Sequence, residues 1–363
     1  MKNSFGNNIA ITLFGESHGE MIGATLDGIP AGIPVDIGYI EKKLSQRKAY
    51  GKISTARVEE DKPLIISGAY NGYTTGTPLT VLIKNSNTKS SDYESIKNTP
   101  RPSHADYTAI VKYGEHRDYR GGGHFSGRIT AALVAVGAIL ESALLKKGVM
   151  IGTHIKRLGG VCDRGFENYS ADISVLGEKR FPVLSEKAAC EMTELIESVA
   201  NEKDSIGGIL ETAIIGVPAG IGEPWFDTLE GELAHAIFSV PPIKGVEFGL
   251  GFGFADLCGS KANDEYATDG EKIFTKTNNN GGINGGISNG MPILIRSVVK
   301  PTPSIFREQA TVDLQKMQNA TITLQGRHDP AIIHRARPVI DAVCAMVIAD
   351  MLVTKYGTDW LRN

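Results

Sequence analysis

The sequence predicts an α+β fold: a single domain, 1–363, made of two pseudo-symmetric halves at approximately 1–147 and 205–352. Two observations lead there. Turn-separated strands come in pairs ahead of helices in each half, whereas a doubly wound parallel sheet would alternate them. A faint internal repeat also runs through the chain in constant order. Residues 24–33 (ATLDGIPAGI) resemble 212–221 (TAIIGVPAGI), and residues 76–84 (GTPLTVLIK) resemble 290–296 (GMPILIR).

Residues 24–33 read as a strand entering a Pro-Ala-Gly turn. Asp36 then supplies an N-cap for a helix with Ile37, Ile40 and Leu44 on one face. It ends near Arg47 and Lys48, cations suited to its negative end. Strands follow at 64–68 and 79–84. Ser103 with Asp106 three residues on has the form of a capping box, which puts His104 in the first turn of a helix. Ser126 precedes an apolar run to Leu145, a largely buried helix. The longest apolar stretch in it, 131–140, is stopped by Glu141 and is too short to span a bilayer. Ala189, Met192, Ile196 and Val199 form an amphipathic stripe on a helix that covers the outside of the fold. Strands are expected at 209–215 and 292–299. The segment 278–290 is too rich in glycine for regular structure and suits close approach of backbone to a ligand. A last buried helix covers 339–352, interrupted only by Asp341 and Asp350.

Composition narrows the class. Hydrophobic residues make up 41% and charged residues 22%, a globular mix, and a net charge of −3 argues against a nucleic-acid partner. Cys162, Cys190, Cys258 and Cys344 are far apart without CxxC spacing. They read as reduced, mostly buried thiols of a cytoplasmic protein. Residues 1–10 lack the basic and apolar regions of a signal peptide.

Four polar clusters carry the chemistry. They are Gly15-Glu16-Ser17-His18-Gly19, Arg101-Pro102-Ser103-His104-Ala105-Asp106, residues 120–128 (RGGGHFSGR) and Gly326-Arg327-His328-Asp329-Pro330. Each joins a titratable group to glycine or proline, and three bring arginine. Histidine transfers protons near neutral pH, and arginine clamps carboxylate and phosphate with a planar fork. The combination points to a small polyanion and proton transfer on it. In 120–128, three glycines lead into Ser126 at a helix start, a geometry that aims backbone N–H groups at an anion. Phe125 is placed to lie against a planar ring. Lys300-Pro301-Thr302-Pro303-Ser304 is a rigid segment with a lysine and hydroxyls for phosphate. Asp329 beside Arg327 fits a base or a structural ion pair. These residues by themselves also admit a metal-assisted phosphohydrolase. Against it, neither Glu16 with His18, His104 with Asp106, nor His328 with Asp329 forms a standard helix-face ligand set, so no metal is expected. Neither a P-loop nor a dinucleotide fingerprint is present.

Taken together, these clusters resemble chorismate synthase over nearly the whole chain. The matching stretches are FGESHG from Phe14, DGIPAGIP from Asp27, RPSHADYT from Arg101, YGEHRDYRGGG from Tyr113, NEKDSIGG from Asn201, IKGVEFG from Ile243, GGINGGISNG from Gly281, KPTPS from Lys300 and GRHDP from Gly326. The resemblance implies a redox-neutral lyase of the shikimate pathway and of aromatic amino-acid biosynthesis. The reaction is a 1,4-anti elimination of phosphate from 5-enolpyruvylshikimate 3-phosphate, giving chorismate, with reduced FMN (FMNH2) as cofactor and NADPH needed only indirectly. It implies a helical core sandwiched between antiparallel sheets, and a homotetramer. With no reductase segment visible, an external flavin reductase is expected to supply electrons.

By the same resemblance the substrate pocket includes Arg47, Lys52, Arg101, Arg128 and Arg327. His104 donates a proton to the departing phosphate, and His18 protonates or holds the reduced flavin. Asp329, with Ser17 and Ser126, relays the proton taken at flavin N5. Flavin contacts come from His124, Phe125, Ser126, Gly285, Lys300, Pro301, Thr302, Pro303, Ser304 and Arg327. Two departures stand out. His124-Phe125-Ser126 replaces the Arg-Ser-Ser of many members, which implies altered flavin contacts. Lys52 stands where arginine is usual and lacks the bidentate fork.

Overall fold

The structure, a computed structural model, describes residues 3–55, 59–86, 97–324 and 328–362. Two five-stranded antiparallel sheets enclose a layer of helices. The first sheet contains β1 (Ser4–Phe5), β2 (Ala10–Gly15), β3 (Met21–Asp27), β4 (Pro63–Ser67) and β5 (Leu79–Lys84), in the order β1-β2-β3-β5-β4. The second contains β6 (Met150–Leu158), β7 (Val161–Cys162), β8 (Gly208–Ile215), β9 (Ile243–Phe248) and β10 (Ile293–Val299), in the order β7-β6-β8-β10-β9. Between them lie α1 (Ile37–Arg47), α3 (Thr130–Lys146), α6 (Leu229–Phe238) and α7 (Ile333–Tyr356). A short α2 (Asp106–Tyr113) precedes α3, and α4 (Tyr169–Glu178) and α5 (Glu186–Asn201) pack against the second sheet.

Burial follows the layers. In β5, Leu79, Val81 and Ile83 are buried while Thr80 and Leu82 are only partly covered, the alternation of a sheet with one packed face. Gly152 to Ile155 in β6 are buried without alternation, because helices cover both faces. At the centre α3 crosses α7 closely. Gly137 faces Ala342, and a Cβ on Gly137 would overlap it. Asp350 on α7 ties the helical layer to the first sheet by accepting the backbone N–H groups of Asn7, Asn8 and Ile9 at 2.8, 2.7 and 2.8 Å.

The order β2-β3-α1-β4-β5-α3 matches β6-β8-α6-β9-β10-α7, and the strand orders β2-β3-β5-β4 and β6-β8-β10-β9 correspond. The likeness extends to single hydrogen bonds. Thr74 Oγ1 accepts from Ile33 N and donates to Pro30 O, and Ser288 Oγ accepts from Ile221 N and donates to Pro218 O. The N–H of Val35 donates to Gly72 O, and that of Leu229 to Gly286 O, both at 2.8 Å.

The helix expectations hold for α1, whose Asp36 side chain accepts from Tyr39 N, and for the stripe on α5. Several others are corrected. Ser103 and Asp106 form no capping box: α2 begins at Asp106, and His104 precedes it. Charge-assisted bonds from Arg101 claim the Asp106 carboxylate instead. The 278–290 segment does hold regular structure, a small hairpin of Ile283–Asn284 with Ile287–Ser288. The final helix begins earlier, at Ile333, with Pro338 inside it. Only Cys344 is buried; Cys162, Cys190 and Cys258 are exposed. The helical run Gly127–Lys146 is long and apolar enough to cross a membrane by length and composition, but 83% of its most apolar window is buried inside the fold.

Candidate active site

One loop organises the histidines. Gly121, Gly122 and Gly123 have φ of 64°, 109° and 53°, the left-handed region that glycine alone enters freely. A Cβ on Gly121 would collide with the His18 ring, and one on Gly122 would lie 3.2 Å from His104 Cε1. Both imidazoles therefore rest on the same stretch of backbone. Ser17 Oγ donates to Arg120 O at 3.2 Å and so accepts from His18 Nδ1, also at 3.2 Å. The Ser17 N–H donates to Gly123 O at 3.1 Å. His124 uses Nδ1 to reach Gly15 O at 2.8 Å, which ties the loop to the end of β2. Phe125 stays 39% exposed, edge-on to Tyr113.

The loop ends at Ser126, whose hydroxyl accepts from Arg128 N at 3.2 Å and caps the turn leading into α3. Here the ends of three core helices converge. Arg47 is the last residue of α1, Arg128 precedes α3, and Arg335 lies in the first turn of α7. Arg128 donates to Asn85 Oδ1 at 2.9 Å and Lys84 O at 3.1 Å, and pairs with the buried Asp61. Arg47 donates Nε to Thr130 Oγ1 at 2.9 Å and brings NH1 to 3.6 Å from Asp61. Burial lowers the Arg47 pKa to about 9; Asp61 opposes this, and Arg335 and Arg128 add to it. The group is still a cation at neutral pH. Asp329 accepts from Thr55 N at 2.8 Å and pairs with Arg335, whose Nε donates to Arg47 O at 3.0 Å.

These groups line a cavity of about 490 Å³, together with Ser126, Thr130, Val240 and Pro241. Five cationic side chains (Arg47, Lys48, Arg128, Arg180, Arg335) face three carboxylates (Glu59, Asp61, Asp329). The size suits a small molecule and the excess charge suits an anion.

Beside the loop, Arg101 grips Asp106 with Nε at 2.7 Å and NH2 at 2.8 Å, and His104 Nδ1 lies 2.6 Å from the same carboxylate. Burial works against the Asp106 charge, but the bonds from Arg101 and His104 outweigh it and hold the carboxyl well below its usual range. Lys300 Nζ donates to Ser103 O at 2.6 Å and joins the 300–304 segment to the His104 loop. In that segment Ser304 is buried, and Thr302 Oγ1 is buried without a hydrogen-bond partner among the described residues.

Comparison with known proteins decides the family. The chorismate synthase family model matches residues 9–353. The chain belongs to the chorismate synthase family. The chorismate synthase of Pyrococcus abyssi is 47% identical over 349 residues, 96% of this chain and 97% of that one. The chorismate synthase of Methanobrevibacter smithii is 46% identical over 360 residues, covering 97% of each. A crystal structure of a chorismate synthase superposes with a TM-score of 0.76 at 28% identity, covering 97% of this chain and 94% of that one. The chain is thus an enzyme of a lyase family, and the α+β sandwich expected from the sequence is the fold found.

Within this chorismate synthase fold the expected site residues fall in three places. Ser17, His18, His104, His124, Phe125 and Ser126 gather at the glycine loop. Arg47, Arg128, Ser126 and Asp329 line the cavity. Lys300 to Ser304 adjoin the Arg101–His104 segment. Lys52 is exposed and stands apart from the cavity lining. Gly285 is the turn of the small hairpin at the N-terminal end of α6. The cavity touches Val240 and Pro241 beyond the other end of α6, so a helix length of about 15 Å separates Gly285 from that edge of the cavity. Arg327 lies outside the described residues.

Sequence reading missed Asp61, Arg180 and Arg335. Asp61 sits in an irregular turn at φ 48°, where no local pattern marks it. Arg335 follows Asp329 by six residues on a helix start, and that proximity to a motif carboxylate was the one usable signal.

Proposed function

We propose that this chain converts 5-enolpyruvylshikimate 3-phosphate to chorismate and phosphate by 1,4-anti elimination, using reduced FMN without net redox change, in the shikimate pathway. The observation that carries the reading is the cationic cavity at the meeting of α1, α3 and α7, bounded by the glycine loop on which both histidines rest. A substrate with two carboxylates and a phosphate needs such a pocket, and each contact gains strength in a site screened from water.

The residues fit a bound flavin phosphate and ring. The Thr302 hydroxyl, buried without a partner among the described residues, the buried Ser304 and the cation of Lys300 offer donors, and the half-exposed Phe125 offers an aromatic face. When bound, reduced flavin supplies electron density as phosphate leaves and a nitrogen that accepts the ring proton. His124, Phe125, Ser126 and residues 300–304 would hold it, with Arg327 by family resemblance; Gly285 and Lys52 have no such support within one chain. Arg47, Arg128 and Arg335 orient the anionic groups. His104 protonates the leaving oxygen, His18 holds the proton inventory beside Ser17, and Asp329 takes up the proton delivered on the cavity side, with Ser126 at its edge.

Residues 1–147 and 205–352 are proposed as related halves of a single domain; the matched element order supports this. A cytoplasmic homotetramer, with electrons from an external flavin reductase and NADPH only upstream of it, completes the reading. The test is anaerobic. Pure protein with substrate and dithionite-reduced FMN should yield equimolar chorismate and phosphate, and nothing with oxidised FMN. Phosphate without chorismate would indicate a hydrolase. FMN binding with neither product would indicate a binding module.

A further inference from the structure

His104 can serve as a proton donor only if one ring nitrogen faces the reacting groups and carries the proton. Its two edges meet different surroundings. Nδ1 lies 2.6 Å from Asp106 Oδ1. The Cε1–Nε2 edge lies over Gly122, where a Cβ would stand 3.2 and 3.4 Å from those atoms. Gly122 is in turn adjacent to Ser126, the loop residue that lines the cavity. An ionised carboxylate only accepts, so the hydrogen between Asp106 and His104 belongs to Nδ1.

Asp106 is itself fixed. Arg101 donates to it from Nε, NH2 and the backbone N–H, at 2.7, 2.8 and 3.0 Å. Arg101 NH2 also lies 3.1 Å from His104 Nδ1. Both groups are donors, and only a shared carboxylate lets them sit so close. The intervening Ser103, at φ 58°, is held through its carbonyl by Lys300. The segment is pinned on both sides of the imidazole.

We propose that Asp106 is the positioning residue for His104: it keeps the proton on Nδ1 and presents Nε2 to the glycine loop as the nitrogen that serves the leaving group. This rests on the reading of His104 as the proton donor. As the C–O bond breaks, its electron pair goes to the phosphate oxygen. That oxygen takes the proton from Nε2, and the imidazolium becomes a neutral ring still protonated at Nδ1. Arg101 is committed to Asp106, so its part in substrate binding is indirect.

The experiment uses the whole enzyme labelled with ¹⁵N-histidine, with the His104 signals assigned by His104→Gln. Two-bond ¹⁵N–¹H spectra distinguish the tautomers. In wild type the neutral ring should carry its proton on Nδ1; a proton on Nε2 overturns the proposal before Asp106 is changed. Asp106→Asn should move the proton towards Nε2 and lower kcat by roughly 10²–10⁴-fold, with KM within about threefold and FMN binding kept. Unchanged kcat, or a fall in FMN affinity of the same size, overturns it. Arg101→Gln separates the clamp from the tautomer, and its ring should stay protonated at Nδ1. Failure of wild type to make chorismate would remove the reaction assignment, while the nitrogen spectrum would still decide what Asp106 does to His104.

Discussion

Asp61 and Arg128 form an ion pair inside the cavity wall, both more than nine-tenths buried, and Arg47 approaches the same carboxylate at 3.6 Å. One acid thus offsets part of the charge of the two arginines that the proposed anionic substrate would meet. Removing one partner of such a pair leaves buried charge uncompensated.

Asp61→Asn should therefore do two opposite things. Stability should fall by about 3 kcal/mol in denaturant titration. Affinity for inorganic phosphate or substrate should rise, by roughly tenfold, because the competing carboxylate is gone. Weaker anion binding with stability unchanged would show that Arg47 and Arg128 do not form the anion pocket.

Asp329 pairs with Arg335 and accepts from Thr55 N. Arg335→Gln should lower kcat/KM by about ten- to a hundredfold, and Asp329→Asn should lower it more. In the double variant the losses should fail to add, with a coupling of at least about 1 kcal/mol. Additive losses would mean that the two residues act separately.

Gly121→Ala tests the loop as a rest for His18. Alanine there meets both a left-handed backbone at φ 64° and the imidazole. It should cost about 1–3 kcal/mol and reduce turnover more than tenfold. Gly127→Ala, at a position with open space, should change stability by less than about 0.5 kcal/mol. Equal effects at both positions would remove the steric argument.

A structural triad gives a pH signature away from the site. His154 is fully buried in β6, 2.9 Å from Asp163 and 3.1 Å from Glu211. Burial opposes its charge, but the two carboxylates outweigh that and raise its pKa. The resulting stability is fully present below the unfolded histidine value of about 6.5 and is lost as pH rises through the raised folded value. Burial likewise opposes the charges on Asp163 and Glu211, yet His154 lowers both, so their share is lost as pH falls through the depressed folded values. His154→Gln should destabilise the protein more at pH 6 than at pH 9, measured by thermal unfolding. A pH-independent difference would mean that the triad is not charged.

The elements with strong local signals were legible before any coordinates. Asp36 marked the start of α1, and Leu79 to Lys84 marked β5 to the residue. The Pro-Ala-Gly turns at Pro30 and Pro218 each accept a matching side-chain hydroxyl, from Thr74 and Ser288. The site was half legible: glycine and histidine clusters identify themselves, and Arg47, Arg128 and Asp329 do meet at one cavity. The errors came where a side chain had two possible partners. Ser103 and Asp106 have capping-box spacing, but Arg101 offers Asp106 a stronger, charge-assisted bond. Cys190 neighbours the buried stripe of α5, yet a single helical step of 100° turns it to solvent.

The sequence alone determined the family, because histidine, arginine and glycine motifs recur in one fixed order along nearly the whole chain. It also determined the alternation of strand pairs and helices, since periodicity and turns are local properties. Only the tertiary structure decided that Asp61 and Arg335 belong to the cavity, that Gly285 stands at the far end of α6, and that Asp106 faces His104. Those facts depend on how helices from distant parts of the chain end against one another. Pairing across such distances is set by the packing of the whole core, and no local spacing encodes it.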